Sequence, residues 1–269
     1  MAGTLSIGTA WIEAAAFVRK ERRLLAPVVL GLILLPAVVS TMVQPQTPAG
    51  VSPEPGWWML VALAMVLVML VGQMAIVLLI DGWRGSVGEA IGKAARRLPI
   101  LIIAALLVMI PLVLVFSVAL AGIGLTTGRA DQLTPDSLGA GGWLVILLFI
   151  IVALFVTVRL LPMVAVVARG TDGPITALKR TFRMTSGEFW RLFGFFLLIA
   201  AAFIIVALAV GAVFGSIIVL LLGRPEPWSV SLLLIALAGG LVQTGFMTLY
   251  TAMLARIAAQ LEGGSTSAT

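Results

Sequence analysis

The sequence predicts an all-α polytopic membrane protein with six transmembrane helices, arranged as three repeats of a short interfacial helix plus two spans. Three observations predict it. Of the 269 residues, 61% are hydrophobic and 10% charged, whereas soluble domains run nearer half apolar and a quarter charged. Six apolar runs each reach the ~20 residues that a helix needs to cross a bilayer. The basic residues fall in alternate loops, as they do when one side of a membrane selects for them.

The runs are Leu24 to Val43, Trp57 to Ile80, about Leu98 to Leu125, Trp143 to Ala168, about Phe189 to Leu222 and about Trp228 to Leu254. Each must be a helix, because lipid offers no partner to a bare peptide group and the runs lack the alternation of barrel strands. Pro36, Pro111 and Pro162 are expected to kink their helices rather than end them. The first run reads as a span and not a signal peptide. Its basic residues begin only at Arg19, and no A-x-A site follows. No long linker divides the chain, so residues 1–269 read as a single integral membrane domain.

Charge sets the expected orientation. Arg19, Lys20, Arg22 and Arg23 precede the first span. Arg84, Lys93, Arg96 and Arg97 follow the second, and Arg169, Lys179, Arg180, Arg183 and Arg191 follow the fourth. Arg256 lies near the end of the chain. The intervening loops hold only two cations, Arg129 and Arg224, and carry acids including Glu54, Asp131 and Asp136. This bias predicts a multi-pass membrane protein with both termini in the cytoplasm. Trp57, Trp143 and Trp228, each opening an inward-running span, read as outer-interface anchors.

Three segments resemble one another: Ser6-Ile7-Gly8-Thr9-Ala10, Ser86-Val87-Gly88-Glu89-Ala90 and Gly173-Pro174-Ile175-Thr176-Ala177, at offsets of 80 and 87 residues. Each precedes a basic stretch and a span, which defines the repeat. Ser86 with Glu89, and Thr185 with Glu188, fit capping boxes, and Pro174 suits a first helical turn. Gly211 and Gly215 form a small-xxx-small pair suited to helix packing.

Several chemistries are excluded. The chain has neither cysteine nor histidine, so thiol nucleophiles, imidazole bases and Cys or His metal sites are absent. No cofactor or metal site is expected, and no catalytic residue is assigned. Net charge is +6. The positives sit beside apolar runs, which points to anionic phospholipid headgroups and not to nucleic acid. Arg19, Lys20, Arg22, Arg23, Lys93, Arg96, Arg97, Lys179, Arg180, Arg183 and Arg191 form a candidate headgroup-facing basic collar. The plainer reading of the same residues is topology determinants and helix caps.

Arg159 stands about 15 Å from Arg169 along a helix. Gln73 precedes Ser86 by 13 residues, Arg159 precedes Gly173 by 14, and Gln243 follows Arg159 by 84. Each even-numbered span thus carries one polar residue at a similar depth. Gln73, Arg159 and Gln243 form a candidate intramembrane polar cluster for a phosphate headgroup or a water-filled vestibule. Alternatively, Arg159 snorkels and the glutamines bond neighbouring helices. Asp81 and Glu188 read as partners of nearby arginines or as helix caps.

The stretch Arg159-Leu160-Leu161-Pro162, followed by Gly173-Pro174-Ile175-Thr176-Ala177-Leu178-Lys179-Arg180-Thr181-Phe182-Arg183-Met184-Thr185-Ser186-Gly187-Glu188-Phe189-Trp190-Arg191-Leu192, resembles the glycerophosphoryl diester phosphodiesterase membrane-domain family and the related YciC-like bacterial inner-membrane proteins. Tyr250, Ala255, Arg256 and Leu261 are similar too. In that family the phosphodiesterase chemistry belongs to a separate soluble barrel that relies on histidines. The resemblance therefore implies a membrane module without the enzyme, and a role in envelope or membrane maintenance. The expected function is a non-catalytic inner-membrane protein engaging phospholipid or a membrane-protein partner. The alternatives are a small transporter or channel-like permease, or a membrane-embedded lipid enzyme using Asp81, Glu89, Asp172 or Glu188.

Overall fold

The computed structural model describes residues 6–47, 53–126, 139–170 and 172–266. The expected outer-loop residues Arg129, Asp131 and Asp136 lie outside the described residues. In chain order the helices are α1 (Ile7–Lys20), α2 (Arg22–Val29), α3 (Leu35–Val43), α4 (Trp57–Ile80), α5 (Val87–Thr126), α6 (Gly139–Leu160), α7 (Met163–Arg169), α8 (Pro174–Met184), α9 (Phe189–Leu222) and α10 (Val230–Thr266). Among the described residues there is no strand. Six stretches are long and apolar enough to cross a membrane: Arg22–Val43, Trp57–Ile80, Val87–Leu125, Gly139–Arg169, Phe189–Leu222 and Val230–Glu262.

Local chemistry explains most boundaries. Ser6 caps α1 by accepting from the Thr9 amide at 3.3 Å. Ser86 and Glu89 form the expected reciprocal box before α5, each accepting the other's backbone amide at 3.2 Å. Pro174 stands at the start of α8. The box expected from Thr185 and Glu188 does not form. Thr185 ends α8 instead, donating to the Thr181 carbonyl at 3.0 Å, and α9 starts directly after Glu188. A threonine one turn from the preceding helix finds free C-terminal carbonyls closer than the next helix's amides.

Prolines act in two ways. Pro36 and Pro111 lie inside continuous helix. The first span absorbs Pro27 and Pro36 with an intervening π-turn, Leu30–Leu34. Pro162, by contrast, ends α6: a turn at Leu161 and Pro162 separates it from α7. The segment before the third span is also not a separate helix. It is the first part of the 40-residue α5, because nothing between Arg97 and Leu101 stops the helix. Pro99 there has helical φ and merely removes one donor.

The core is uneven along the bundle. Fully buried apolar residues gather at the C-terminal halves of α4 and α10, on α7, and on the inner faces of α1, α5 and α8; Met74, Ile76, Val166, Met253 and Ile257 are at most 2% exposed. The C-terminal halves of α5 and α9 and the N-terminal half of α6 leave large apolar side chains open, as at Leu114, Leu148 and Leu220. Such a surface needs a hydrocarbon solvent. Trp57, Trp143 and Trp228 are each more than half exposed, as interfacial anchors would be.

Close helix approach is made at Gly72 and Gly240, on either side of the first span. A Cβ on Gly72 would stand 2.9 Å from Leu32 Cβ and 3.1 Å from the Leu32 carbonyl oxygen. A Cβ on Gly240 would stand 3.1 Å from Leu34 Cδ1. The contact expected at Gly211 and Gly215 is not made, since a Cβ on either meets nothing within 4 Å. Gly72→Val should therefore destabilise the protein by about 1–3 kcal/mol, the usual scale for overpacking a tight contact. Gly211→Ala should hold or raise stability. Thermal melting in a mild detergent measures both.

Candidate functional site: the charged end of the bundle

The ends of α4, α7, α8 and α10 meet through ion pairs. Arg169, the last residue of α7, grips Asp81 with two nitrogens; its Nη2 donates to Asp81 Oδ1 at 2.7 Å. The same Nη2 donates to the Ala255 carbonyl in α10, also at 2.7 Å. Its Nη1 lies 3.5 Å from Glu262. Glu262 in turn accepts from Arg180 Nη2 at 3.0 Å, and Arg180 Nη1 stands 3.5 Å from Asp172. Five charged side chains thus form one chain of contacts across four helices. The guanidinium fork suits this role, because it addresses a carboxylate and a carbonyl in one plane. With the Arg169 side chain only 16% exposed, the pairing is screened less than a surface ion pair.

Arg180 and Glu262 also line a groove of about 750 Å3 with Asp172, Thr176, Lys179, Arg183 and Met184. Its three cations and two carboxylates leave a net positive wall. The carboxylates pair with Arg180, whereas Lys179 and Arg183 are exposed and have no ion partner among the described residues. They are the cations free to meet an anion.

The rest of the basic collar is dispersed. Arg19, Lys20, Arg22 and Arg23 are exposed around the α1–α2 junction, with Arg19 Nε donating to the Ala15 carbonyl at 3.3 Å. On α5, Lys93 stacks over the Trp83 ring at 4.8 Å, Arg96 is exposed and Arg97 is half-buried. Arg191 pairs with Glu188 at 2.9 Å. Asp81 and Glu188 thus take the arginine partners expected of them, and Glu89 is held by its cap.

The three intramembrane polar residues share no pocket and no hydrogen bond among the described residues. Arg159 Nη1 donates to the Phe182 carbonyl at 2.9 Å. It thereby caps the C-terminal turn of α8, where free carbonyls and the helix dipole favour a cation. Its guanidinium also lies over the Phe155 ring at 5.2 Å. Gln243 lines a groove of about 310 Å3 with Thr41 and Gly211. Gln73 is half-buried on α4. What sequence reasoning missed is the linkage of Arg169, Arg180, Asp172 and Glu262; Asp81 was legible as an arginine's partner, but Glu262 lies 93 residues from Arg169 with no spacing signal. Among the described residues, no three of His, Cys, Asp or Glu gather to hold a metal.

Fold and site together define a polytopic helical membrane protein with a charged network closing one end of its bundle. The chain belongs to the DUF7847 family, described as a domain of unknown function, whose model matches residues 6–261. Neither the curated proteins nor the solved structures give a match.

Arg169→Ala should cost about 2 kcal/mol, the scale of hydrogen bonds to charged groups. Arg169→Lys should recover only part of it, since an ammonium cannot copy the fork. Lys179→Ala should shift stability by less than about 0.5 kcal/mol. Melting midpoints of the three variants provide the check.

Proposed function

We propose that this chain is a non-catalytic bacterial inner-membrane protein that binds anionic phospholipid in envelope or membrane homeostasis. The observation that carries the reading is the positive groove beside α8, where Lys179 and Arg183 are unpaired while every neighbouring acid is engaged. A lipid phosphate supplies the missing anion at interfacial depth, where each basic residue contributes about 1 kcal/mol. The resemblance of the Arg159–Leu192 stretch to the glycerophosphoryl diester phosphodiesterase membrane-domain and YciC-like proteins points the same way. A catalytic role has less support, since Asp81, Asp172 and Glu188 are held in ion pairs and Glu89 in a cap. A permease has less support because Gln73, Arg159 and Gln243 line no common path.

In this reading both termini face the cytoplasm, and three units of a basic interfacial segment plus two spans share one plan. In the same reading Arg159, bonded through Nη1 to the Phe182 carbonyl, serves as a strut for α8 beside the groove.

Two measurements test these statements. Native mass spectrometry of the delipidated protein, titrated with phosphatidylglycerol and phosphatidylcholine, should show preference for the former. Lys179→Ala and Arg183→Ala should each weaken it about fivefold, equivalent to ~1 kcal/mol; equal binding of both lipids would sink the reading. The absence of cysteine allows single-site labelling. Glu54→Cys should react with an impermeant maleimide in intact cells, and Gly187→Cys only after permeabilisation.

A further inference from the structure

A second cavity lies away from the charged groove. It has a volume of about 760 Å3 and is bounded by α1, α9 and α10, within the ~300–1,000 Å3 of small-molecule sites. Ile7 and Trp11 form the α1 wall, Phe195 and Ala202 the α9 wall, and Gly245 and Met253 the floor on α10. The lining is almost wholly apolar. α1 itself is not one of the six membrane-crossing stretches. It is fastened to α10 by the Ser6 amide donating to Gln260 Oε1 at 3.1 Å and by Glu13 beside Arg256 at 3.7 Å. Its Trp11 and Ile12 are nevertheless 45% and 68% exposed. An amphipathic helix with an exposed tryptophan and Lys/Arg at its end lies at the headgroup boundary.

We propose that this cavity holds one acyl chain of a membrane lipid, with α1 as a fixed strap beside it. The inference rests on the reading that the chain engages phospholipid, and adds where the hydrocarbon goes. Dimensions support it. The groove follows α10 from Leu241 to Met253 and α9 from Phe195 to Val206, about 16–18 Å at 1.5 Å per residue. A single leaflet of hydrocarbon is half of ~30 Å. A groove of one leaflet's depth, apolar throughout and open on crossing helices, has the shape and chemistry of an acyl chain. Gly8 and Gly245 border open space, since a Cβ on either meets nothing within 4 Å, so a larger side chain at Gly245 would project into the groove. Gly245 in mid-helix costs about 1 kcal/mol of helix propensity relative to alanine, yet no close backbone contact demands it.

The test uses the full chain in phosphatidylcholine vesicles doped with phosphatidylcholine bearing a diazirine on one acyl chain. Labelled peptides are mapped after photolysis. Label should concentrate on groove residues of α1, α9 and α10. It should be lost from them in Gly245→Leu, which fills the cavity and favours the helix, and persist in Gly245→Ala. Label spread evenly over the lipid-facing sides of α5, α6 and α9, or groove label unchanged in Gly245→Leu, would overturn the proposal. The neutral headgroup separates the two readings. Groove labelling with no phosphatidylglycerol preference would leave the acyl site standing and remove the Lys179–Arg183 site. Anionic preference without groove labelling would do the reverse.

Discussion

Arg169 is the joint on which this bundle depends. Its two-nitrogen grip on Asp81 and its bond to the Ala255 carbonyl tie α4, α7 and α10 together at one end. Glu262 and Arg180 extend that tie to α8. In hydrocarbon, helices gain little from burying apolar surface against one another, because the lipid is as apolar as they are. Charge-assisted bonds at a partly dry end have no such competitor. The deepest core lies next to this joint for the same reason: Ile76, Val166 and Ala255 are packed where the helices are held in register.

Away from the joint, association relies on close approach. Gly72 and Gly240 let α4 and α10 press against the first span, and the span's π-turn, Leu30–Leu34, falls at the Gly72 contact. An irregular turn displaces the helix surface locally, and a glycine opposite it accommodates the displacement. The C-terminal halves of α5 and α9 and the N-terminal half of α6 keep many large apolar side chains exposed, with local ring pairs such as Phe116 on Phe149. They leave their apolar surface to lipid. The two large cavities follow from this division. The polar one opens beside the joint, and the apolar one lies where α1 stands off from α9 across α10.

Arg159 shows why depth along a chain is a poor guide to role. Counted in residues, it looks stranded in the membrane. In three dimensions, the turn at Pro162 and the return of α8 bring the Phe182 carbonyl to its guanidinium. An arginine near a helix C-terminus gains a partner whose need is equal to its own. Thr185 behaves likewise, turning back to α8 when its spacing from Glu188 suits the next helix. Local motifs compete with whatever the tertiary fold brings near, and the nearer partner wins.

By itself, the sequence determined the helical class, the six membrane-long stretches, the Ser86–Glu89 cap, the Pro174 start and the pairing of Glu188 with a nearby arginine. These follow from hydropathy, short-range spacing and charge, which act within a few residues or along one helix. Only the tertiary structure decided which helices sit at the centre, which glycines are pressed, and that Arg169, Glu262 and Arg180 form one network. It also parted Gln73, Arg159 and Gln243, which periodicity alone had aligned. Depth along a helix repeats with residue number, but rotation about its axis and the choice of neighbour are set by packing between segments distant in sequence, and no local pattern records them.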